Sequence, residues 1–467
     1  MSRARVLDTA HQYFDSGAFK TLLAKRIAQP TESQNPARQA ALLAYLEADL
    51  VPTFHALGFT TEVFPDHANG TYFLYAARLE NEHNTTVLGY GHGDVVLGME
   101  DQWEGHVNPW QLTEHKQRWY GRGIADNKGQ HTVNLEALRI VLEERGELGF
   151  NCKYLIEMGE EIGSPGLREF CLKHKDLLQA DLLIASDGPR LSAHRPTLFL
   201  GARGCFNFDL TIHARDGAHH SGNWGGLLSN PGIQLAHAIA CITSATGQIR
   251  LPDWLPDQLP DTVRQVLKDC EIEPDDNSPT IDPQWGEPGL RLAEKVYGWC
   301  SFEVLASQTG TPDKPVSAIP PSAWARCQLR FVVGVDPQKI LPALRKHLDR
   351  HGFTMVDIHA DNQVQFQASR LDPADPWVSW VANSIAKSTG QQPAILPNLG
   401  GSLPNDIFTD ILNLKTVWIP HSYPGCSQHA PNEHLPPAIL REGLAIMAGV
   451  YWDLGVSNPE RHATTNI

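Results

Sequence analysis

The sequence predicts an α/β protein: one α/β/α domain, discontinuous in the chain, with a smaller α+β domain inserted into it. Three observations predict this. Short buried-strand runs alternate with helical spacings up to about residue 200. Period-two alternation of apolar and polar residues then takes over, the mark of strands with one solvated face. From about residue 374 the first style returns. The implied division is 1–199, 200–367 and 368–467.

The elements follow in order. Residues 37–57, rich in Ala and Leu, read as a helix. Thr85–Tyr90 reads as a short buried strand. Gln130–Glu144 carries apolar residues at 133, 137, 138, 141 and 142, which is helical spacing. Cys152–Met158 is a second strand. Ser164-Pro165 reads as an N-cap and an N1 proline opening a helix to about His174. Ala180–Ala185 is a third buried strand. Alternating strands and helices point to a largely parallel sheet. Phe206, Phe208, Leu210 and Ile212 then alternate with polar residues, and Pro231–Ile242 reads as an amphipathic helix. Residues 251–287, rich in Pro and Asp, read as a long loop. Ala325 to Val333 alternates again. A helix after Asp336-Pro337 and a strand near 354–358 complete the insert, and Val417-Trp418-Ile419 is a strand of the returning domain.

Composition excludes several classes. The chain has 467 residues, 42% hydrophobic and 19% charged, so it is globular rather than disordered or collagenous. With 38 basic against 53 acidic residues the net charge is −15, which disfavours a nucleic-acid partner. The eight cysteines are scattered and form no Cys-x-x-Cys, so buried thiols are expected rather than a disulfide framework or a zinc finger. No apolar run reaches a membrane span, and Asp8, His11 and Asp15 interrupt any secretory core. The expectation is a cytoplasmic protein with no membrane partner.

Histidines and carboxylates stand just after several strands. His92 and Asp94 follow the first, and Asp126 precedes the helix after Gly121-Arg122-Gly123. Glu160 and Glu161 follow the second strand and Asp187 the third. Each has an ordinary use alone: a loop histidine, a helix cap, a solvated pair, a turn residue. Together they converge where open α/β sheets bind ligands, at the carboxyl ends of strands. Imidazole with carboxylate suits zinc, manganese or cobalt better than magnesium or calcium. One carboxylate can bridge two ions, while a neighbouring carboxylate acts as general base. Asp94 is placed to accept the second ring N–H of His92 and set its tautomer.

The motifs His-x-Asp-Val-Val, Gly-Arg-Gly-x-x-Asp-x-Lys-Gly and Glu-Glu-x-Gly-Ser resemble those of a co-catalytic metallopeptidase family. That family includes carboxypeptidase G, carnosinase, aminoacylase, acetylornithine deacetylase and succinyl-diaminopimelate desuccinylase. The resemblance runs from about residue 85 to 435 and implies a catalytic domain carrying a lid or dimerisation domain. It implies that two divalent ions, zinc foremost and manganese or cobalt as alternatives, are held by His92, Asp126, Glu161, Asp187 and a late histidine. Asp126 would be the bridge. His421, His429 and His434 are the late candidates, and His429 matches the family's His-x-x-Asn-Glu. Glu160 would be the general base.

His220-Ser221-Gly222, with His219 adjacent, resembles the motif that reaches a partner subunit's active site, so a homodimer is implied. Arg330 and the Gly400-Gly401-Ser402 loop, through Gly401 and Ser402, would bind the substrate carboxylate. Asn127 departs from the family's commonest pattern, which has aspartate there, at a position that is not a ligand. The implied reaction is amide hydrolysis by a water that Glu160 deprotonates. The Gly-Gly-Ser-Leu-Pro loop, the His-Ser-Gly motif and Asp187 look most like the carnosinase-type dipeptidase branch. An N-acyl-amino-acid deacylase is the alternative.

Overall fold

The computed structural model describes residues 2–272, 279–360 and 366–459. Six strands come first: β1 (Thr60–Asp66), β2 (Thr71–Arg78), β3 (Thr86–His92), β4 (Asn151–Glu157), β5 (Leu182–Ala185) and β6 (Thr197–Phe199). Four more follow: β7 (Gly204–His213), β8 (Ser301–Thr309), β9 (Ser322–Phe331) and β10 (Asp357–Ala360). The chain then returns with β11 (Ala394–Leu396) and β12 (Lys415–Trp418). Strands β1–β6, β11 and β12 form one eight-stranded sheet in the order β1-β2-β4-β3-β5-β12-β6-β11.

The four central strands, β4, β3, β5 and β12, are mutually parallel. Strands β4 and β5 are buried along their whole length, because helices and loops cover both sheet faces. The edges depart from the largely parallel expectation. β1 pairs antiparallel with β2, β2 with β4, and β6 with β12. The four residues between β1 and β2 allow only a hairpin, since a parallel pair needs a crossover of a dozen residues or more.

One face of the sheet is covered by α1 (Arg3–Asp15), α2 (Lys128–Arg145), α5 (Pro376–Thr389) and α6 (Pro437–Val456). Helix α2 is buried on nearly every side, Val133, Leu138 and Val141 included, and ends at Gly146, whose φ of 87° suits a glycine. The other face buries Leu167, Phe170, Phe408 and Trp418. Strands β7–β10 form a separate antiparallel sheet in the order β8-β9-β7-β10. Its alternating burial matches the alternating sequence, and the covered face packs against α3 (Pro231–Ile242) and α4 (Ile340–Arg350) around Phe208, Trp254 and Leu344. The outward and return crossings lie side by side: Ala202 pairs with Ser369 and Gly201 with Arg370.

Three local expectations are corrected. Ser164 caps no helix. Its hydroxyl donates to the buried Glu157 Oε1 at 3.0 Å, and the helix starts at Leu167 with Gly166 before it. The 251–287 region holds a helix at Asp261–Leu267, whose Val263 and Leu267 enter the core; residues 273–278 lie outside the described ones. The strand expected near 354–358 is β10, shifted to Asp357–Ala360.

The helical segment expected at 37–57 is present but widens into a π turn at Leu46–Leu50. Pro52 lacks the N–H and crowds the regular helix, so the turn before it opens. Asp49 on that turn bonds Arg26 Nε at 3.0 Å, and Arg26 Nη1 bonds Thr132 of α2; both charged groups are buried. Asp49→Ala would strand a buried guanidinium. It is expected to lower the unfolding free energy by about 3–5 kcal/mol in denaturant titrations.

Candidate active site

Parallel pairing sends the carboxyl ends of β4, β3, β5 and β12 to one edge, and each of these strands delivers site residues there. His92 is the last residue of β3. Glu160 and Glu161 form the turn after β4. Asp187 comes two residues after β5, and His429 lies in the loop that follows β12. Asp126 reaches the same edge from the loop that opens α2.

The side chains form two trios that share Asp126: His92, Asp126 and Asp187, and Asp126, Glu161 and His429. Asp126 Oδ1 lies 2.9 Å from His92 Nε2, and Oδ2 lies 2.9 Å from His429 Nε2. His92 Nε2 is 3.6 Å from Asp187 Oδ2, and His429 Nε2 is 3.0 Å from Glu161 Oε2. One carboxylate thus faces a set of ligand-type atoms with each of its oxygens. Glu160 belongs to neither trio. It lines a cleft of about 470 Å³ with Asp126, Asp187 and His429, and Arg330, Gly401 and Ser402 line the same cleft.

The electrostatics suit a cationic guest. Burial, and then the charge of Asp126, push the Asp187 carboxyl up to about 7. Burial likewise takes Glu161 up to about 7 and Glu160 well above the usual carboxylate range. Burial resists ionisation of Asp126 too, but its bonds from His429 and His92 outweigh that and hold it low. Those same bonds, with Glu161, raise His429 to about 11. Asp187 Oδ2 is buried with no hydrogen-bond partner among the described residues. A buried acceptor of this kind, beside two imidazoles and a shared carboxylate, fits divalent cations of the zinc, manganese and cobalt type.

A family model, peptidase family M20/M25/M40, matches residues 88–453. The chain belongs to this family. It is therefore a metal-dependent peptidase. Its relatives include the Beta-Ala-His dipeptidase of Rattus norvegicus, 24% identical over 397 residues, with 82% of this chain and 80% of the relative covered. The Cys-Gly metallodipeptidase dug1 of Schizosaccharomyces pombe is 24% identical, covering 80% and 81%. The fold resembles that of human carnosine dipeptidase 1, with a TM-score of 0.75, 21% identity, and 97% and 100% of the two chains covered.

Of the late histidines of this M20 peptidase, only His429 joins a trio among the described residues. His434 is bonded through Nε2 to Tyr423 Oη and through Nδ1 to the Asn432 carbonyl. His421 is buried and joins neither trio. Asp94 faces His92 Nδ1 with two kinds of oxygen. Its backbone carbonyl lies 3.0 Å from His92 Nδ1, closer than its carboxylate at 3.4 Å. The carboxylate also accepts the N–H groups of Glu160 and Glu161, each at 3.2 Å. Asn127 donates to the Ser186 carbonyl, and the Asp126–Asn127 peptide is cis. His220 is exposed and does not line the cleft of its own chain; its neighbour His219 packs edge-on to Trp224.

Two residues of the site escaped sequence reasoning. Gln428 donates to Asp126 Oδ2. Glu433 is buried and accepts from Arg122 Nη1 at 2.8 Å, Gly123 N at 3.0 Å, Ala125 N at 2.8 Å and Asp126 N at 3.3 Å. It ties the Asp126 loop to the His429 loop. The His-x-x-Asn-Glu pattern contains this glutamate, which was the available signal. Glu433→Gln keeps the shape but halves the acceptors. It is expected to weaken metal affinity about 10–100-fold, read by competition with a chelating dye.

Proposed function

We propose that this protein is a two-ion dipeptidase that cleaves the amide bond of free-amine dipeptides. The observation that carries the reading is the pair of trios sharing Asp126, set in one cleft with a spare carboxylate, Glu160, and an arginine. Two divalent ions, zinc foremost, held by His92, Asp126 and Asp187 and by Asp126, Glu161 and His429, would acidify a water and polarise the scissile carbonyl. In this reading Glu160 takes a proton from the attacking water as its oxygen bonds to the carbonyl carbon. Glu160 then passes that proton to the amine nitrogen as the C–N bond breaks. His220 of the partner subunit would donate to the carbonyl oxygen in the tetrahedral intermediate. Its exposure outside its own cleft supports action across a homodimer interface. Residues 200–367 would be the lid that presents it.

Arg330 and the N–H groups of the Gly401–Ser402 loop are assigned to the substrate carboxylate. Arg330 Nη1 already lies 3.1 Å from Ser402 Oγ, and both residues line the cleft that the trios open into. The relatives named above favour the dipeptidase over the deacylase reading. Cytoplasmic residence is supported by eight free cysteines, and no described helix is long and apolar enough to cross a membrane. The test is a mixed panel of β-alanyl and α-aminoacyl dipeptides with N-acetyl and N-succinyl amino acids, products followed by mass spectrometry. Free-amine dipeptides are expected to be consumed first. Preference for the acylated compounds would move the protein to the deacylases.

The ligand set also predicts a pH dependence. Glu161 and Asp187, both pushed up to about 7, ionise far more readily in the unfolded chain, where their carboxyls have ordinary values near 4. Between those limits rising pH works against the metal-free fold. Ion binding requires both groups ionised and His429 neutral, so protons compete with ions at low pH. The rise in Tm on adding zinc is expected to be larger at pH 8 than at pH 6, with proton release on binding at pH 7. An equal rise at both would contradict the ligand assignment.

A further inference from the structure

We infer that Arg203 is a positioning residue for the substrate's terminal carboxylate: it clamps the Gly400 carbonyl and thereby sets the Gly401–Ser402 loop against Arg330. The inference rests on the dipeptidase reading and deepens it. Arg203 is 7% exposed. Its Nε and Nη2 both donate to the Gly400 carbonyl, at 2.8 and 2.6 Å, and its Nη1 to Ser301 Oγ at 3.3 Å. Its own carbonyl accepts from Ser402 Oγ at 2.7 Å, and that hydroxyl oxygen in turn accepts from Arg330 Nη1. Arg203 thus holds both ends of the three-residue loop, one through its side chain and one through its backbone.

Two further observations point to an anion. Neither Arg203 nor Arg330 has a carboxylate within ion-pair distance among the described residues, although Glu303 lines a second cavity with Arg203. A buried guanidinium without a counter-ion is costly, and the charge of Arg330 nearby adds repulsion. The backbone N–H groups of Gly400, Gly401 and Ser402 find no internal acceptor among the described residues. Successive free N–H groups beside an arginine make an anion cradle. Arg203 does not itself line the catalytic cleft, so it acts through the loop rather than on the substrate.

The test compares Arg203→Met and Arg203→Lys with the wild type, all metal-loaded and full length. The substrates are one dipeptide with a free carboxylate and the same dipeptide as its carboxamide. The wild type is expected to prefer the carboxylate. Arg203→Met is expected to raise KM for it at least about tenfold, with kcat within about threefold and carboxamide hydrolysis little changed. Arg203→Lys keeps the charge without the paired donors and is expected to raise KM in the same direction; it also serves if the methionine variant does not fold. Equal losses on both substrates, or an unchanged KM, would overturn the inference while leaving the dipeptidase reading intact. A wild type indifferent to the carboxylate would overturn the substrate reading itself.

Discussion

Glu160→Gln is expected to lose about 10²–10⁴-fold in kcat while keeping its metal, because a general base contributes on that scale. Glu160 stands outside both trios, so replacing its carboxylate removes no ligand atom from either. The amide fills the same space and keeps the backbone N–H that Asp94 holds. What disappears is a group able to take a proton from water and return it to the amine. Glu161→Gln, one residue along, is the informative contrast. That residue is in the second trio, so its loss should lower metal content as well as turnover. Elemental analysis beside kinetics separates the two. Metal lost from Glu160→Gln, at the level seen for Glu161→Gln, would make Glu160 a ligand.

Asp126→Ala is expected to remove metal from both positions together and to leave turnover at the level of the chelated wild type. Each Asp126 oxygen faces a different histidine at 2.9 Å, so no other single side chain belongs to both trios. His429→Ala should by contrast lower the count by one. The Asp126 loop itself is held by Glu433 through backbone N–H groups and Arg122, so the alanine variant is expected to fold. Its Tm should no longer respond to added zinc. Retention of one tightly bound ion in Asp126→Ala would mean that the two positions are independent.

Much of this centre was legible in the sequence because the fold supplies the registration. Buried runs ending in His92, in Glu160-Glu161 and in Asp187 identify strand ends, and parallel pairing brings such ends to one edge. Pairing direction at the sheet margins was not legible, since a fully buried strand shows the same apolar run either way. Ser164-Pro165 has the local form of a cap. Glu157, buried nearby, claims the hydroxyl, and that competition is invisible to neighbouring residues. Glu433 stood inside the recognised His-x-x-Asn-Glu pattern, and Arg203 lies in the link between β6 and β7. Their work is to hold backbone of a loop hundreds of residues away, and only the folded chain brings those loops together.

The central claim is that two ions sharing Asp126 drive dipeptide hydrolysis. The direct measurement is to strip the wild type with a chelator and titrate zinc or manganese back. Ions bound per chain and hydrolysis of a β-alanyl dipeptide are followed in the same samples. The account predicts no turnover in the stripped protein and activity that rises until two ions are bound per chain. Full activity at one ion per chain, or hydrolysis that survives the chelator, would contradict it.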